Sequence, residues 1–335
     1  MIRRVCMGML RRFPKYFPTN DCKSMENGKI GIVTVLYNSE PVLEDFFRTL
    51  NEQTYKDFVL YLVDNASKDE SVFKSQEYAK FVSFECKWLL QKENLGVAEG
   101  NNIGIRAALE DKCDYVLLSN NDIVLQLDTI EKLLEGMLSM KATMAVPKIY
   151  YWDDPKKIWM AGGSFRWLQC SVSHRGENEI DAGQYDFMEF MSYAPTCFML
   201  IKSSKFKDVG LMDENYFVYY DDTDFVFRAS RIYSNKVILY VYNSIIWHKV
   251  SSCTGGGESD FTLKYVNRNQ VYFALKNASK IRLFCFLCYL VIHFFCKKIH
   301  RYNARQRRLI LKSYVEGFNL YCQVKHLYLR NGKCN

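Results

Sequence analysis

Proline is scarce, at 6 residues in 335, and the mean hydropathy is −0.19, which together exclude extensive disorder and a polytopic membrane protein. The chain has no internal repeat and no low-complexity segment, so a fibrous protein is excluded as well. Residues 1–24 carry arginines but lack the continuous apolar core and small-residue cleavage site of a secretory leader. They read as an extension ahead of the first strand, dispensable for folding, with Met25 as an alternative start. The apolar run 281–296 includes Arg282 and falls short of the ~20 residues that a spanning helix requires.

Cysteine is plentiful, with twelve residues, but those such as Cys86, Cys113, Cys197, Cys285 and Cys288 sit scattered in apolar stretches of a chain far larger than a disulfide-stapled scaffold. They read as buried thiols of a reducing cytosol. Cys285 and Cys288 form a CxxC with His293, Cys296 and His300 downstream, yet a second CxxC and a polar knuckle are both missing, which argues against a zinc site.

What remains is an ordinary globular composition, 49% hydrophobic, 24% charged and 15% aromatic, with enough chain for one large domain or two small ones. A soluble α/β enzyme is the default class. The formal charge of +8 is unevenly placed: from Ile281 to Asn335 eleven Lys and Arg face the single acid Glu316, a balance of +10, while 34 bases and 36 acids leave −2 elsewhere. Because this basic segment adjoins an apolar run, it points to an anionic membrane surface and away from nucleic acid.

Short apolar runs alternate with helical patterns in the first half, the signature of βαβ units and a mostly parallel sheet. Strands are expected at 30–36, 58–63, 86–90, 115–118 and 144–149, and helices at 41–52, 69–80, 97–110 and 127–140. In such a sheet ligands lie beyond the carboxyl ends of the strands. Those ends are polar here: Tyr37-Asn38-Ser39-Glu40, Asp64-Asn65, Glu93-Asn94-Leu95-Gly96 and Ser119-Asn120-Asn121-Asp122. Each alone is an ordinary turn or cap. Together with glycines at 96 and 100 they favour a nucleotide site.

The second half carries three carboxylates in four positions, Asp221-Asp222-Thr223-Asp224, at the expected start of a helix. A favourable helix dipole accounts for one or two acids, and a third beside aromatics lacks a structural explanation. His248 ends a further apolar run, 237–246, within reach of the same cleft or serving as a structural strand-end residue.

In this order, IVTVLYNSE (32–40), VDNASKD (63–69), NLGVAEGNNIGI (94–105), LLSNND (117–122), PTCFMLIKSSKFKDVGLMDENYFVYYDDTDFVFR (195–228), WHKVS (247–251) and YVNRN (265–269) resemble family-2 glycosyltransferases of the GT-A fold. The likeness is to the bacterial branch that includes rhamnosyltransferase-like enzymes. It implies a Rossmann-like nucleotide-sugar-binding half at 25–150, an acceptor and catalytic half at 151–277, and a helical, basic, membrane-associated segment at 278–335.

Position by position, the resemblance implies that Thr34, Tyr37, Asn38 and Glu40, with Asp64 and Asn65, surround the base and ribose, and that Asn94, Gly96, Asn101, Asn120 and Asn121 line the donor pocket. Asp122 stands where the family's last metal-binding carboxylate stands, Asn120 replaces the first, and His248 is a second contact for Mg²⁺ or Mn²⁺ or for diphosphate. Oxygen-bound cations of this kind neutralise a leaving diphosphate. Asp222 is the implied general base, with Asp221 where the family commonly has Glu, so the choice between the two stays open. Arg228 either pairs with these acids or reaches phosphate. No role is assigned to Asn267-Arg268-Asn269.

The expected activity is inverting, metal-dependent transfer of a sugar from a dTDP- or UDP-sugar to a glycan or lipid-linked acceptor in cell-surface polysaccharide synthesis. The implied setting is the inner, cytoplasmic face of a bacterial membrane. There the tail would lie as an amphipathic anchor with Lys297, Lys298, Arg301, Arg305, Arg307 and Arg308 towards head groups, or pack as a helix on the catalytic domain. Alternatives are a nucleotidyltransferase, against which Tyr37–Pro41 offers neither glycine nor a base, and a non-catalytic glycan- or membrane-binding module.

Overall fold

Apolar, largely β-branched residues at Ile30–Leu36 form β1, the central parallel strand of the computed structural model, which describes residues 28–233, 237–249 and 259–330. The N-terminal extension, Met25, Ser251 and the Lys297 side chain lie outside the described residues. β1 is followed by α1 (Leu43–Glu52), β2 (Phe58–Asp64), α2 (Ser71–Ala79), β3 (Glu85–Leu90), α3 (Gly96–Glu110) and β4 (Tyr115–Ser119). β2 and β4 flank β1 in parallel register and β3 extends the sheet beyond β2. Pro41 starts the single 3₁₀ turn ahead of α1, where its missing N–H and preset φ suit a helix entry.

The chain continues through β5 (Ile123–Leu125), α4 (Thr129–Ser139), β6 (Met144–Tyr151), β7 (Ile158–Met160), β8 (Gly163–Arg166), β9 (Ser171–His174), β10 (Glu189–Met191) and β11 (Phe198–Lys202). After α5 (Phe206–Val209) and α6 (Asp221–Tyr233) comes the long β12 (Ile238–His248). The main sheet runs β10-β12-β6-β11-β4-β1-β2-β3, continuous across the boundary expected near residue 150. β11 enters antiparallel between β4 and β6, while β12 returns parallel to β6. β1 and β2 are buried along nearly their whole length, so their two apolar faces, not an alternating pattern, drive their burial.

Two glycines set the seat of α3. A Cβ at Gly104 would fall 2.3 Å from a Val33 methyl and one at Gly100 2.9 Å from Val35, so the helix can lie against β1 only with hydrogen at these positions. Gly100, expected to mark the nucleotide site, is thus a packing residue.

The C-terminal segment is helical: α7 (Asp260–Asn277), α8 (Lys280–His293), a π-helical turn at Phe294–Lys298, α9 (Ile299–Arg301) and α10 (Ala304–Arg330). Gly317 of α10 lies against the Arg268 carbonyl of α7, where a Cβ would come within 2.3 Å. α8 buries Phe286 and Leu290 against Phe273 and its neighbours, and leaves Ile281, Phe284, Val291 and Ile292 exposed, as the turn after it leaves Phe295. The expectation that the cysteines are buried needs correction here. Cys113, Cys170 and Cys197 are buried, but Cys285, Cys288, Cys296 and Cys322 are exposed, because these helices cover only one edge of their apolar surface.

Candidate active site

Where the parallel strands end, a cleft of about 810 Å³ opens between the two parts of the sheet. On one side it is lined by Tyr37 after β1, Asn65 after β2, and Asn94, Gly96 and Asn101 around the start of α3. Asn120 and Asn121 follow from β4, and Asp221, Asp222 and His248 close the opposite side. Ten of the expected site residues therefore share one cavity.

Others do not line it. Asn38 and Glu40 tie the loop after β1 to the loop after β2: the Asn38 carboxamide oxygen accepts from the Lys68 N–H at 2.8 Å and the Glu40 carboxylate from the Glu70 N–H at 3.4 Å. Thr34 and Asp64 stand one residue behind the lining residues Val35 and Asn65. Thr34 Oγ1, Asp64 Oδ1 and Asn65 Oδ1 are buried without a hydrogen-bond partner in the protein, a concentration of unmet polar capacity at and just behind the cleft wall.

The cluster at the start of α6 divides by role. Asp222 accepts from the Tyr193 hydroxyl at 2.8 Å through Oδ2 and from the Thr223 N–H at 2.6 Å through Oδ1. Asp221, next to it, is buried, and burial together with the neighbouring Asp222 carboxylate pushes its pKa up to about 8. Burial also raises Asp222, against the opposing hydrogen bond from Tyr193. The two carboxyls thus hold a proton between them well above the ordinary carboxylate range.

Asp224 corrects the expectation that a third acid has no structural explanation. It is fully buried and accepts from Arg228 Nε at 2.8 Å, Lys276 Nζ at 3.0 Å, Asn277 Nδ2 at 2.9 Å and the Tyr216 hydroxyl at 3.2 Å. Of the two roles open to Arg228, the structure shows the acid pairing. Its guanidinium is also occupied by the Val209 and Leu211 carbonyls, and it does not line the cleft.

At the other end, β5 pairs antiparallel with the last residues of β12, setting Ile123 opposite His248. This brings His248 Nε2 to 3.1 Å from Asp122 Oδ1, although 126 positions separate them. The Trp159 ring meets the imidazole edge-on at 4.9 Å, and His248 Nδ1 is buried without a partner. A carboxylate oxygen beside an imidazole nitrogen fits a divalent cation that takes its remaining ligands from diphosphate and water. Among the described residues no group of three or more His, Cys, Asp or Glu gathers at one point.

Sequence reasoning missed Trp159, Tyr193, Phe261 and Tyr265. Trp159 and Tyr193 lie on or beside short strands with no clear periodicity, and the rings of Phe261 and Tyr265 come from α7, far along the chain. A sequence signal existed for Pro195, Thr196, Cys197, Phe217, Val218 and Tyr219, which lie in the segment 195–228 already singled out, and for Tyr265, which opens YVNRN; all of these line the cleft.

Residues 31–210, more than half of the chain, match the profile described as Glycosyl transferase family 2. The chain belongs to this family. As a glycosyltransferase it is 25% identical over 225 residues to Glycosyltransferase GlyG of Streptococcus pneumoniae, covering 64% of this chain and 70% of that protein. It is 26% identical over 206 residues to the dTDP-rhamnosyl transferase RfbF of Shigella flexneri, covering 61% of this chain and 64% of the relative. Among solved structures, the mannosyltransferase PcManGT of Pyrobaculum calidifontis in complex with GDP-Man and Mn²⁺ superposes with a TM-score of 0.54 at 12% identity, over 90% of this chain and 81% of that one. The transferase therefore has the GT-A fold, with a helical C-terminal region. The profile match ends at residue 210, before Asp222 and His248.

Proposed function

We propose that this glycosyltransferase moves a hexose, with inversion, from a nucleoside diphosphate sugar to a hydroxyl of a glycan or lipid-linked glycan during bacterial cell-surface polysaccharide synthesis. The observation that carries the reading is the single cleft. One side presents the unmet polar atoms of Asn65 and its neighbours, and the other presents a hydrogen-bonded carboxylate, Asp222, beside a protonated one.

In this reading Thr34, Tyr37, Asp64 and Asn65 receive the base and ribose, while Asn94, Gly96 and Asn101 line the sugar diphosphate. Asp122 and His248 would hold a divalent cation, which when bound neutralises charge developing on the leaving diphosphate. Asp222 takes the proton of the acceptor hydroxyl as its oxygen bonds to the anomeric carbon and the bond to diphosphate breaks on the opposite face. The Tyr193 hydroxyl and Thr223 N–H fix the orientation of that carboxylate. Asp221 keeps its proton and so spares Asp222 a neighbouring full negative charge. The relationship to a dTDP-rhamnosyl transferase supports a dTDP-sugar, with a UDP-sugar as the alternative donor.

The tail supports attachment to the cytoplasmic face of an anionic membrane. The exposed apolar stripe of α8 is bounded by Lys280 and Arg282 at one end and followed by Arg301 at the other, a pattern suited to lying in the interface; Lys298, expected among the head-group cations, instead turns inward, donating to Asn267 Oδ1 and the Tyr314 hydroxyl. One edge of α8 is packed on the globular body, which favours lying on the membrane over spanning it.

The test is a panel of nucleotide sugars with Mg²⁺ or Mn²⁺, following nucleoside diphosphate release by wild type, Asp222→Asn and Asp122→Ala. Donor-specific, metal-dependent release that falls at least a hundredfold in Asp222→Asn is expected. Full activity in that variant, or no release from any donor with lipid extracts as acceptors, overturns the reading.

A further inference from the structure

The stretch that delivers Asp221 and Asp222 to the cleft is conformationally strained. Phe217, Tyr219 and Tyr220, none of them glycine, have φ of +66°, +61° and +67°, in the left-handed region that bulky side chains avoid. Three such residues within four positions persist only if the surroundings hold them. Phe217 and Tyr219 also line the cleft, and the Tyr220 carbonyl accepts from the Asp224 N–H at 2.8 Å, starting α6.

The holding comes from α7, from the segment whose role the sequence leaves unassigned. Asn269 is fully buried, and its Nδ2 lies 2.9 Å from the Tyr216 carbonyl, 2.7 Å from that of Val218 and 2.8 Å from that of Tyr219. Arg268 donates from Nε to Asn269 Oδ1 at 2.8 Å, which turns the amide so that its NH₂ faces the loop. Its Nη2 donates to the Asn215 and Tyr216 carbonyls at 2.9 and 2.6 Å. The same guanidinium sits 4.7 Å from the Tyr265 ring, on which Phe217 stacks. Every carbonyl from residue 215 to 219 except that of Phe217 therefore meets this pair. The Phe217 carbonyl turns the other way and accepts from Val97 at the start of α3, at 2.6 Å.

We infer that Arg268 and Asn269 are positioning residues for the transfer step: they clamp a strained loop in the one conformation that sets Asp222 towards the acceptor. Strain stored in the loop and hydrogen bonds supplied by the clamp oppose each other, so weakening the clamp releases the loop and displaces the base. The donor side is held mainly by the β1–β4 ends and α3; it meets the loop at the Phe217 carbonyl, which Val97 and not the clamp engages, so it is expected to shift less than the base.

The inference rests on Asp222 as the base, and its test separates the two. Asn269→Asp preserves shape but faces three carbonyls with an acceptor, and Arg268→Lys keeps the charge but loses the fork. The measurements are kcat by nucleoside diphosphate release, the Kd of UDP and dTDP by calorimetry, and amide hydrogen exchange over residues 216–223. The expected result for Asn269→Asp is a tenfold or greater fall in kcat, a Kd within threefold of wild type, and exchange over 216–223 at least tenfold faster. Arg268→Lys, the milder change, is expected to lower kcat three- to tenfold and carries the test if Asn269→Asp does not fold. A folded Asn269→Asp with kcat and exchange within threefold of wild type overturns the inference, as does a loss of nucleotide affinity as large as the loss of kcat. If wild type turns over no donor, the transferase reading fails and the exchange measurement alone decides whether the clamp exists.

Discussion

Asp221 offers a sharp quantitative test because its environment makes folding stability depend on pH in the direction opposite to most acids. Burial and the adjacent Asp222 carboxylate raise its pKa from 3.8 to about 8. The folded protein therefore keeps a proton that the unfolded chain releases, and stability falls as pH rises from about 4 to about 8. At about 1.4 kcal/mol per unit, the accumulated loss at pH 7 is on the order of 4 kcal/mol. Asp221→Asn keeps the shape and removes the titration. Denaturant unfolding of wild type and variant at pH 4.5, 6, 7 and 8 should show a stability difference that grows in favour of the variant with every step. Because any offset from the added amide is independent of pH, the slope decides. A difference that stays constant across this range, or that turns against the variant as pH rises, would refute the assignment of the shared proton.

Other outcomes follow from single contacts. Gly96 has φ +83°, and a Cβ there would fall 2.4 Å from the Phe217 carbonyl, so Gly96→Ala should cost about 2 kcal/mol of stability and weaken nucleoside diphosphate binding, readable by melting and calorimetry. Asp224→Ala leaves Arg228 and Lys276 without their shared buried acid and should destabilise by about 3–5 kcal/mol, measured by denaturant unfolding. Asp222→Asn, in contrast, should abolish transfer with a melting temperature close to wild type. A double change, Phe284→Glu with Ile292→Glu, should abolish co-sedimentation with vesicles of mixed zwitterionic and anionic lipid while leaving turnover on a water-soluble acceptor intact. Equal binding by this variant would remove α8 from the membrane reading.

The alternation of apolar runs and amphipathic helices made β1 to β4 and α1 to α4 legible, because the strands show as short continuous apolar runs and the helices between them as spaced apolar positions. The polar strand ends were legible because a strand that is buried throughout must emerge somewhere, and Asn65 and Asn120 stand where β2 and β4 do. β5 was not, since Ile123–Leu125 is too short to show a period and looks like a continuation of the run before it. Arg268 and Asn269 carried a recognisable motif without a readable purpose, because their partners are backbone carbonyls some fifty residues away.

What the amino-acid order by itself determined is local: which segments are strands or helices, where polar side chains leave the sheet, and that three acids open α6. Only the tertiary structure decided which of those acids line the cleft and which pair with bases. Asp224 is spoken for because α7 brings Lys276 and Asn277 onto it, and Asp122 meets His248 because β12 returns antiparallel to β5. The physical reason is that a carboxylate's protonation and reach are set by burial and by charges within a few ångströms. Those neighbours come from chain segments whose approach no local pattern encodes.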